Sequence, residues 1–218
     1  MYIKNSNLTK RKLGQLITEW IYNTPARVCA KKIHLHRNTA NWWYNRIRHL
    51  ISTLPEPQPF SGIVEIDESY FGKKRPWVKG VGTADKVAIF GARERQTGKV
   101  WSTVVEGTDH AHLIPIIENR IAKGSTICSD GFGAYYRLNK LGYKHYKVLH
   151  EYSFVDLHIV HTNGIESYWS YVKQLFYSRR GMPRRLYQLH LKEAEFRFNN
   201  RDPRKLRLLL RKMLKNDH

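Results

Sequence analysis

Three acidic residues stand where their neighbours are poorly suited to hold them. Asp67 lies inside the apolar run Gly-Ile-Val-Glu-Ile-Asp-Glu-Ser-Tyr-Phe, Asp130 closes Ile-Cys-Ser-Asp-Gly, and Glu166 ends His-Thr-Asn-Gly-Ile-Glu. A charge within an apolar strand is unfavourable unless something pairs with it. Carboxylates gathered at one place repel, and a divalent metal removes that repulsion. The chemistry such a cluster serves is phosphodiester hydrolysis or strand transfer. Two Mg²⁺ ions roughly 3.5–4 Å apart activate a water or 3′-hydroxyl and stabilise the leaving oxygen. Any one of these acids alone would be an ordinary solvated carboxylate. Glu65 and Glu68 are local competitors, and strand alternation puts Glu65 on the same face as Asp67. His161 and Thr162 are close in sequence, but histidine is a poor ligand for Mg²⁺. A hydrogen bond to DNA or to Glu166 suits His161 better.

A sheet and a helix are needed to bring the three acids together across intervals of 63 and 36 residues. Residues 62–71, 86–95 and 98–107 are strand-like runs separated by glycine and charged turns, consistent with an antiparallel meander. An amphipathic helix follows over 112–122, then a short buried strand over 125–130. The spacing predicts a helix over 131–142 ended by Gly142, a fifth strand over 143–150, and a long helix from Asn163 through Arg180. This element order is that of the ribonuclease-H-like fold, an α+β or α/β mixed five-stranded sheet flanked by helices. In that fold the first and fourth strands are neighbours, which would set Asp67 beside Asp130.

The two ends of the chain differ from its middle. Lys and Arg total 38 against 18 acids, a net charge of +20. Residues 1–60 carry +8, 61–170 only +2, and 171–218 carry +10. Basic ends around a near-neutral middle point to a polyanion, because each phosphate contact releases condensed counterions. Residues 8–51 read as helices, with Thr24 as an N-cap before Pro25 and a tight connection at His34–His36. The third helix carries Arg37, Asn38, Asn41, Arg46 and Arg48, which resembles the reading helix of a helix-turn-helix module. Trp42, Trp43 and Trp169 are expected in cores. Pro55, Pro57 and Pro59 make 53–61 an extended linker. The organisation expected is therefore a helix-turn-helix module over 1–52, a linker over 53–61, a catalytic domain over 62–202, and a basic amphipathic helix over 203–218. No apolar run approaches membrane-spanning length, and two cysteines 99 residues apart suggest neither a zinc knuckle nor a disulfide scaffold. A cytoplasmic, nucleoid-associated protein with no membrane partner is the expectation.

Four ordered blocks, IDESYFGKKR, CSDGFGAYYRL, HTNGIESYWSYVK and LHLKEAEFRFNNR, resemble those of bacterial insertion-sequence DDE transposases, the ISXO2-like group with a D-D-E-K pattern. The resemblance covers roughly residues 60–202. It implies Asp67, Asp130 and Glu166 as metal ligands for two Mg²⁺ ions, with Mn²⁺ as the alternative. It implies Lys173, seven residues after Glu166 on the same helix face, as a phosphate contact. Some relatives carry asparagine at the third position, so Asn163 is the nearby candidate for a supporting role and for DNA contact. Relatives often begin with a cysteine-rich zinc ribbon, which this chain lacks, leaving end recognition to its helical segment. Arg179, Arg180, Arg184 and Arg185 bracket a Gly181-Met182-Pro183 turn and are candidates for holding target DNA. The implied activity is binding of double-stranded terminal repeats, cleavage at the ends and transfer of 3′-hydroxyl strands, by a homodimer or higher oligomer. The rivals are a catalytically silent DNA-binding regulator and a structure-specific nuclease without strand transfer.

Overall fold

The computed structural model describes residues 8–72, 86–130, 133–148, 161–179 and 182–216. Of the candidate target-holding arginines, Arg180 lies outside the described residues, as does Gly181 of the turn beside it. The chain divides into two compact units. One comprises Met1–Pro55 with Phe196–His218, the other Glu56–Glu195.

The first unit is helical. Helix α1 (Lys10–Ile21) starts at Thr9, whose hydroxyl accepts from Lys12 N, and it buries Leu13, Leu16, Ile17 and Trp20 at helical spacing. Helix α2 (Ala26–Lys32) has Pro25 at the capping position with no side-chain cap. The Thr24 cap expected there is not made: α2 begins at Ala26, which puts Pro25, without a side-chain acceptor, at the capping position. A four-residue connection with His34 at φ 52° leads to α3 (Arg37–Ser52), capped by His36 Nδ1 accepting from Asn38 N. After Phe196 the chain adds α7 (Pro203–Asn216), whose Leu206, Leu210 and Leu214 join Trp20, Trp43, Tyr44 and Ile47 in one core. Residues 203–216, expected as a separate basic helix, thus close the N-terminal helical core. Arg197 fastens the same unit: its guanidinium lies 3.4 Å from the Trp20 ring centre and donates to the Trp20 carbonyl at 2.7 Å and the Ile21 carbonyl at 3.2 Å. A buried cation on the last carbonyls of α1 satisfies acceptors that the helix itself leaves open.

The second unit is built on strands β1 (Ile63–Phe71), β2 (Val87–Glu94), β3 (Val100–Val105), β4 (Thr126–Ser129) and β5 (Lys144–Lys147). Their order in the sheet is β3-β2-β1-β4-β5, with β1, β2 and β3 antiparallel and β4 and β5 parallel to β1. This is the ribonuclease-H-like arrangement of a mixed five-stranded sheet. Helix α4 (His110–Arg120) is capped by Asp109 and supplies Leu113, Ile114 and Ile117 to the core under Ile66, Phe90 and Ile127. Helices α5 (Asn163–Tyr177) and α6 (Tyr187–Asn199) follow, α6 running across the boundary between the units. Gln188 Oε1 accepts from Val104 N and Glu195 from Ser102 N, so polar side chains of α6 meet edge amides of β3 that would otherwise template aggregation.

Two further segments depart from expectation. Within 133–142 the chain forms two 3₁₀ turns, Gly133–Tyr135 and Leu138–Leu141, in place of an α-helix, with Gly142 left-handed at φ 87°. The reason is spacing: Tyr135, Leu138 and Leu141 pack on the core at intervals of three, the repeat of a 3₁₀ helix. The proline-rich stretch 55–59 is neither helix nor strand, and its end is pinned. Phe60 is buried and exchanges backbone hydrogen bonds with Arg120 and Ala122, and Glu56 accepts from the Trp101 indole at 2.6 Å. No helix among the described residues is long and apolar enough to cross a membrane.

Candidate active site

The parallel pairing of β1 and β4 decides which acids meet. Its register joins Ile63 to Thr126 and Glu65 to Cys128, an offset of 63 residues. The interval from Asp67 to Asp130 is the same, so Asp67, in the middle of β1, falls level with Asp130, the residue just past the end of β4. Asp67 is half-buried, and its Oδ1 accepts from Glu68 N at 2.8 Å. Burial, with the charge of Asp130 behind it, pushes the Asp67 carboxyl up to about 6, against the pull of the Glu68 amide and Trp169. The charge of Glu166 adds to the rise.

Carboxylate oxygens of Asp67, Glu68 and Asp130 lie within 4.8 Å of one another, close enough to share an ion. Glu68 is raised to about 7 by burial and by Asp67 and Asp130, despite accepting from the Tyr135 hydroxyl. Glu166 is exposed in the first turn of α5 and is not one of that group of three; the Thr162 hydroxyl donates to its Oε1 at 2.9 Å. Sequence reasoning ranks Glu68 only as a competitor, since alternation points it away from Asp67. The signal available is its place directly beside Asp67, in the part of β1 beyond the last residue paired with β4.

Glu65 has a different environment. It is fully buried and accepts from Arg95 Nε at 2.7 Å, Arg93 Nη1 at 3.4 Å and Ile165 N at 2.8 Å. His161 Nδ1 lies 3.5 Å from Glu65, and the His161 carbonyl accepts from Arg95. The histidine ring therefore stands beside Glu65.

Two glycines let α5 approach the sheet. Gly91 stands opposite Asp67 in the β1–β2 register, and a Cβ there would fall 2.6 Å from the Trp169 ring. A Cβ on Gly164 would collide with Arg93 Nη1 and fall 2.7 Å from Glu65 Oε2. Trp169 is in the core as expected, and so is Trp43, but Trp42 is 53% exposed with the Arg46 guanidinium 5.0 Å from its ring centre.

The remaining candidates sort by pairing. Asn163 and Lys173 are exposed on α5, and Arg184 and Arg185 are exposed before α6. Arg37 and Asn38 are exposed on α3, Asn41 and Arg46 half-buried, and Arg48 donates to Asn45 at 2.7 Å. Arg179 is paired within the protein. Its guanidinium donates to the fully buried Glu193 at 2.7 Å and lies 2.7 Å from His190 Nδ1, tying the end of α5 to α6. A buried carboxylate holds this arginine because leaving either charge unmatched there would be strongly unfavourable.

A sheet of this order, with an acidic cluster between the middle of its first strand and the end of its fourth, defines a ribonuclease-H-like protein. Residues 59–199 match the ISXO2-like transposase domain, and the chain belongs to that family. A transposase-like protein of Haemophilus influenzae is 31% identical over 117 residues, 54% of this chain and 94% of that protein. The catalytic core domain of BIV integrase is similar at 14% identity and a TM-score of 0.44, over 72% of this chain and 99% of that one. A chain of a simian T-cell lymphotropic virus intasome is similar at 13% identity and a TM-score of 0.43; the likeness spans 68% of this chain and about half, 52%, of that one.

Proposed function

We propose that this protein is a DNA transposase that cleaves the ends of its own insertion element and joins the freed 3′-hydroxyls to target DNA. The observation that carries this reading is the convergence of Asp67, Glu68 and Asp130 within 4.8 Å, with Glu166 charged close enough to raise Asp67. The donor set fits a hard divalent cation, since every candidate ligand atom is a carboxylate oxygen. Asp67, Asp130 and Glu166 would hold two Mg²⁺ or Mn²⁺ ions, with Glu68 beside them. When bound, such ions supply an activated attacking oxygen and a stabilised leaving oxygen.

The chain's own residues have separate tasks. Thr162 orients Glu166, and Tyr135 orients Glu68. Lys173, exposed two turns beyond Glu166, meets a phosphate of the bound strand as a point charge. Asn163 lies at the start of the same helix. Helix α3 enters a major groove of the terminal repeat, with Arg37, Asn38, Asn41, Arg46 and Arg48 contacting base edges and phosphates. Arg184 and Arg185 hold target DNA through contacts that carry no sequence information. The protein acts in the cytoplasm on nucleoid DNA, as a dimer or higher oligomer, so that both element ends are processed together.

The test is incubation with Mg²⁺ or Mn²⁺ and labelled element ends, for the wild type and for Asp67→Ala, Asp130→Ala and Glu166→Ala. Cut and joined products from the wild type, and none from the variants, are expected. Cutting without joining would make the protein a nuclease, no cutting a DNA-binding regulator, and near-normal cleavage by Asp67→Ala would overturn the site assignment.

A further inference from the structure

We propose that Glu65 is the positioning residue that seats helix α5 on the sheet and thereby sets where Glu166 stands relative to Asp67. The inference rests on the reading above, in which Asp67 and Glu166 share a metal. It removes Glu65 from the ligand candidates, although it lies two residues from Asp67 on the same strand face.

The first support is the arrangement at the start of α5. Thr162 occupies the capping position, yet its side chain makes no cap bond. Its hydroxyl donates instead to Glu166 Oε1 at 2.9 Å. The backbone amide of Ile165, in the first turn of α5, is met by Glu65 Oε2 at 2.8 Å, from a residue 100 positions earlier. A helix N-terminus needs acceptors for its first amides and favours a negative charge. The local cap residue thus orients Glu166, while an acid on β1 does the capping.

The second support is that Glu65 is matched by cations. Its side chain is wholly buried, and its Oε1 accepts from Arg95 Nε at 2.7 Å and Arg93 Nη1 at 3.4 Å. Arg95, the residue after β2, also donates to the His161 carbonyl, one residue before the cap, so the chain is gripped on both sides of Thr162, by Glu65 of β1 and by Arg95. A carboxylate facing two guanidinium groups and an amide has no need of a metal ion, and the same cations would repel one. The third support is Gly164. A Cβ there would collide with Arg93 Nη1 and fall 2.7 Å from Glu65 Oε2, so the bare backbone at Gly164 leaves room for the two side chains that form the seat. Because Glu65 and Asp67 share one strand, the seat fixes Glu166 against Asp67 by covalent distance along β1.

The experiment uses the full chain without DNA and follows Mn²⁺ affinity, amide exchange at Ile165 and thermal unfolding. Glu65→Gln is expected to keep a cooperative melt, speed exchange at Ile165 at least about tenfold and weaken Mn²⁺ binding about tenfold, the loss typical of a group that orients a ligand. Gly164→Ala crowds Arg93 and Glu65 in the seat while leaving every carboxylate residue in place, and it is expected to produce the same two changes, which keeps the test decisive if Glu65→Gln does not fold. Exchange at Ile165 unchanged in both variants would overturn the proposal. So would Glu65→Gln abolishing Mn²⁺ binding as fully as Asp67→Asn while Gly164→Ala leaves it intact, since Glu65 would then be a ligand. Failure of the underlying reading shows elsewhere: Glu166→Gln with unaltered Mn²⁺ affinity would remove Glu166 from the metal site, while exchange at Ile165 still reports on the seat.

Discussion

Strand β1 carries two carboxylates two residues apart on one face, in opposite electrostatic surroundings. Glu65 is enclosed by Arg93, Arg95 and an α5 amide, whereas Asp67 has Asp130, Glu68 and Glu166 about it and is raised to about 6, first by burial and then by Asp130. A buried acid that faces cations is already satisfied and holds structure together. A buried acid that faces other acids is left short of positive charge, the condition a metal ion relieves. The company of each acid, more than its burial, separates scaffold from site.

The largest effect that would break this contrast is on activity. Asp67→Ala should lower cleavage by more than about a hundredfold, beyond the loss usual even for groups that only orient ligands. Its melting temperature should stay level or rise, because one of several mutually repelling charges is gone. Gel assays of end cleavage beside a thermal melt check both halves.

Next in size is the reverse case. Glu65→Ala should destabilise the fold by about 3–5 kcal/mol, since it leaves Arg93 and Arg95 facing a vacated buried site. Denaturant titration of Glu65→Ala beside Asp67→Asn makes the comparison direct. Equal stability losses in the two would mean that the surroundings do not distinguish these acids.

Glu195 sharpens the contrast, because it lies between the extremes. Burial raises its carboxyl to about 7, even with Lys192 at 3.3 Å and the Ser102 amide as partners. Its folded value thus exceeds its unfolded one, so the folded state binds the extra proton. The stability it contributes is present below the ordinary carboxylate range and is lost as pH rises toward 7. Glu195→Gln should flatten that decline, gaining on the order of 1–3 kcal/mol over the wild type at pH 8 and little at pH 5. Unfolding measured across pH 5–8 decides it, and parallel curves would show that Lys192 already neutralises the group.

The smallest effects extend the same sorting to arginines on DNA. Arg37→Ala or Asn41→Ala on α3 should weaken binding to the element end by about 1–3 kcal/mol and binding to random duplex much less. Arg184→Ala with Arg185→Ala should lower the log–log salt slope of random-duplex binding by ~0.9 for each phosphate no longer neutralised. Arg179→Ala should alter stability before it alters that slope, because its charge is already matched by Glu193. Binding isotherms over a salt series separate the two kinds of arginine.

Element order, the basic ends and the three acids in their separate blocks were all legible in the amino-acid sequence. Local patterning suffices for those, since periodicity marks strand and helix, and an acid in an apolar run is conspicuous anywhere. Strand order followed too, once the order of elements matched a known arrangement. Which charges meet became visible only in the folded chain. Alternation placed Glu65 and Asp67 on one face, but nothing local to β1 indicates that Ile165, 100 residues on, brings an amide to one while Asp130 brings a charge to the other. The same holds for Arg179, paired by Glu193, for Trp42, left outside while Trp43 is buried, and for the leucines of α7, which complete a core begun by α1. Pairing energies depend on distance in space and on exclusion of water, and a linear pattern of residue types carries neither.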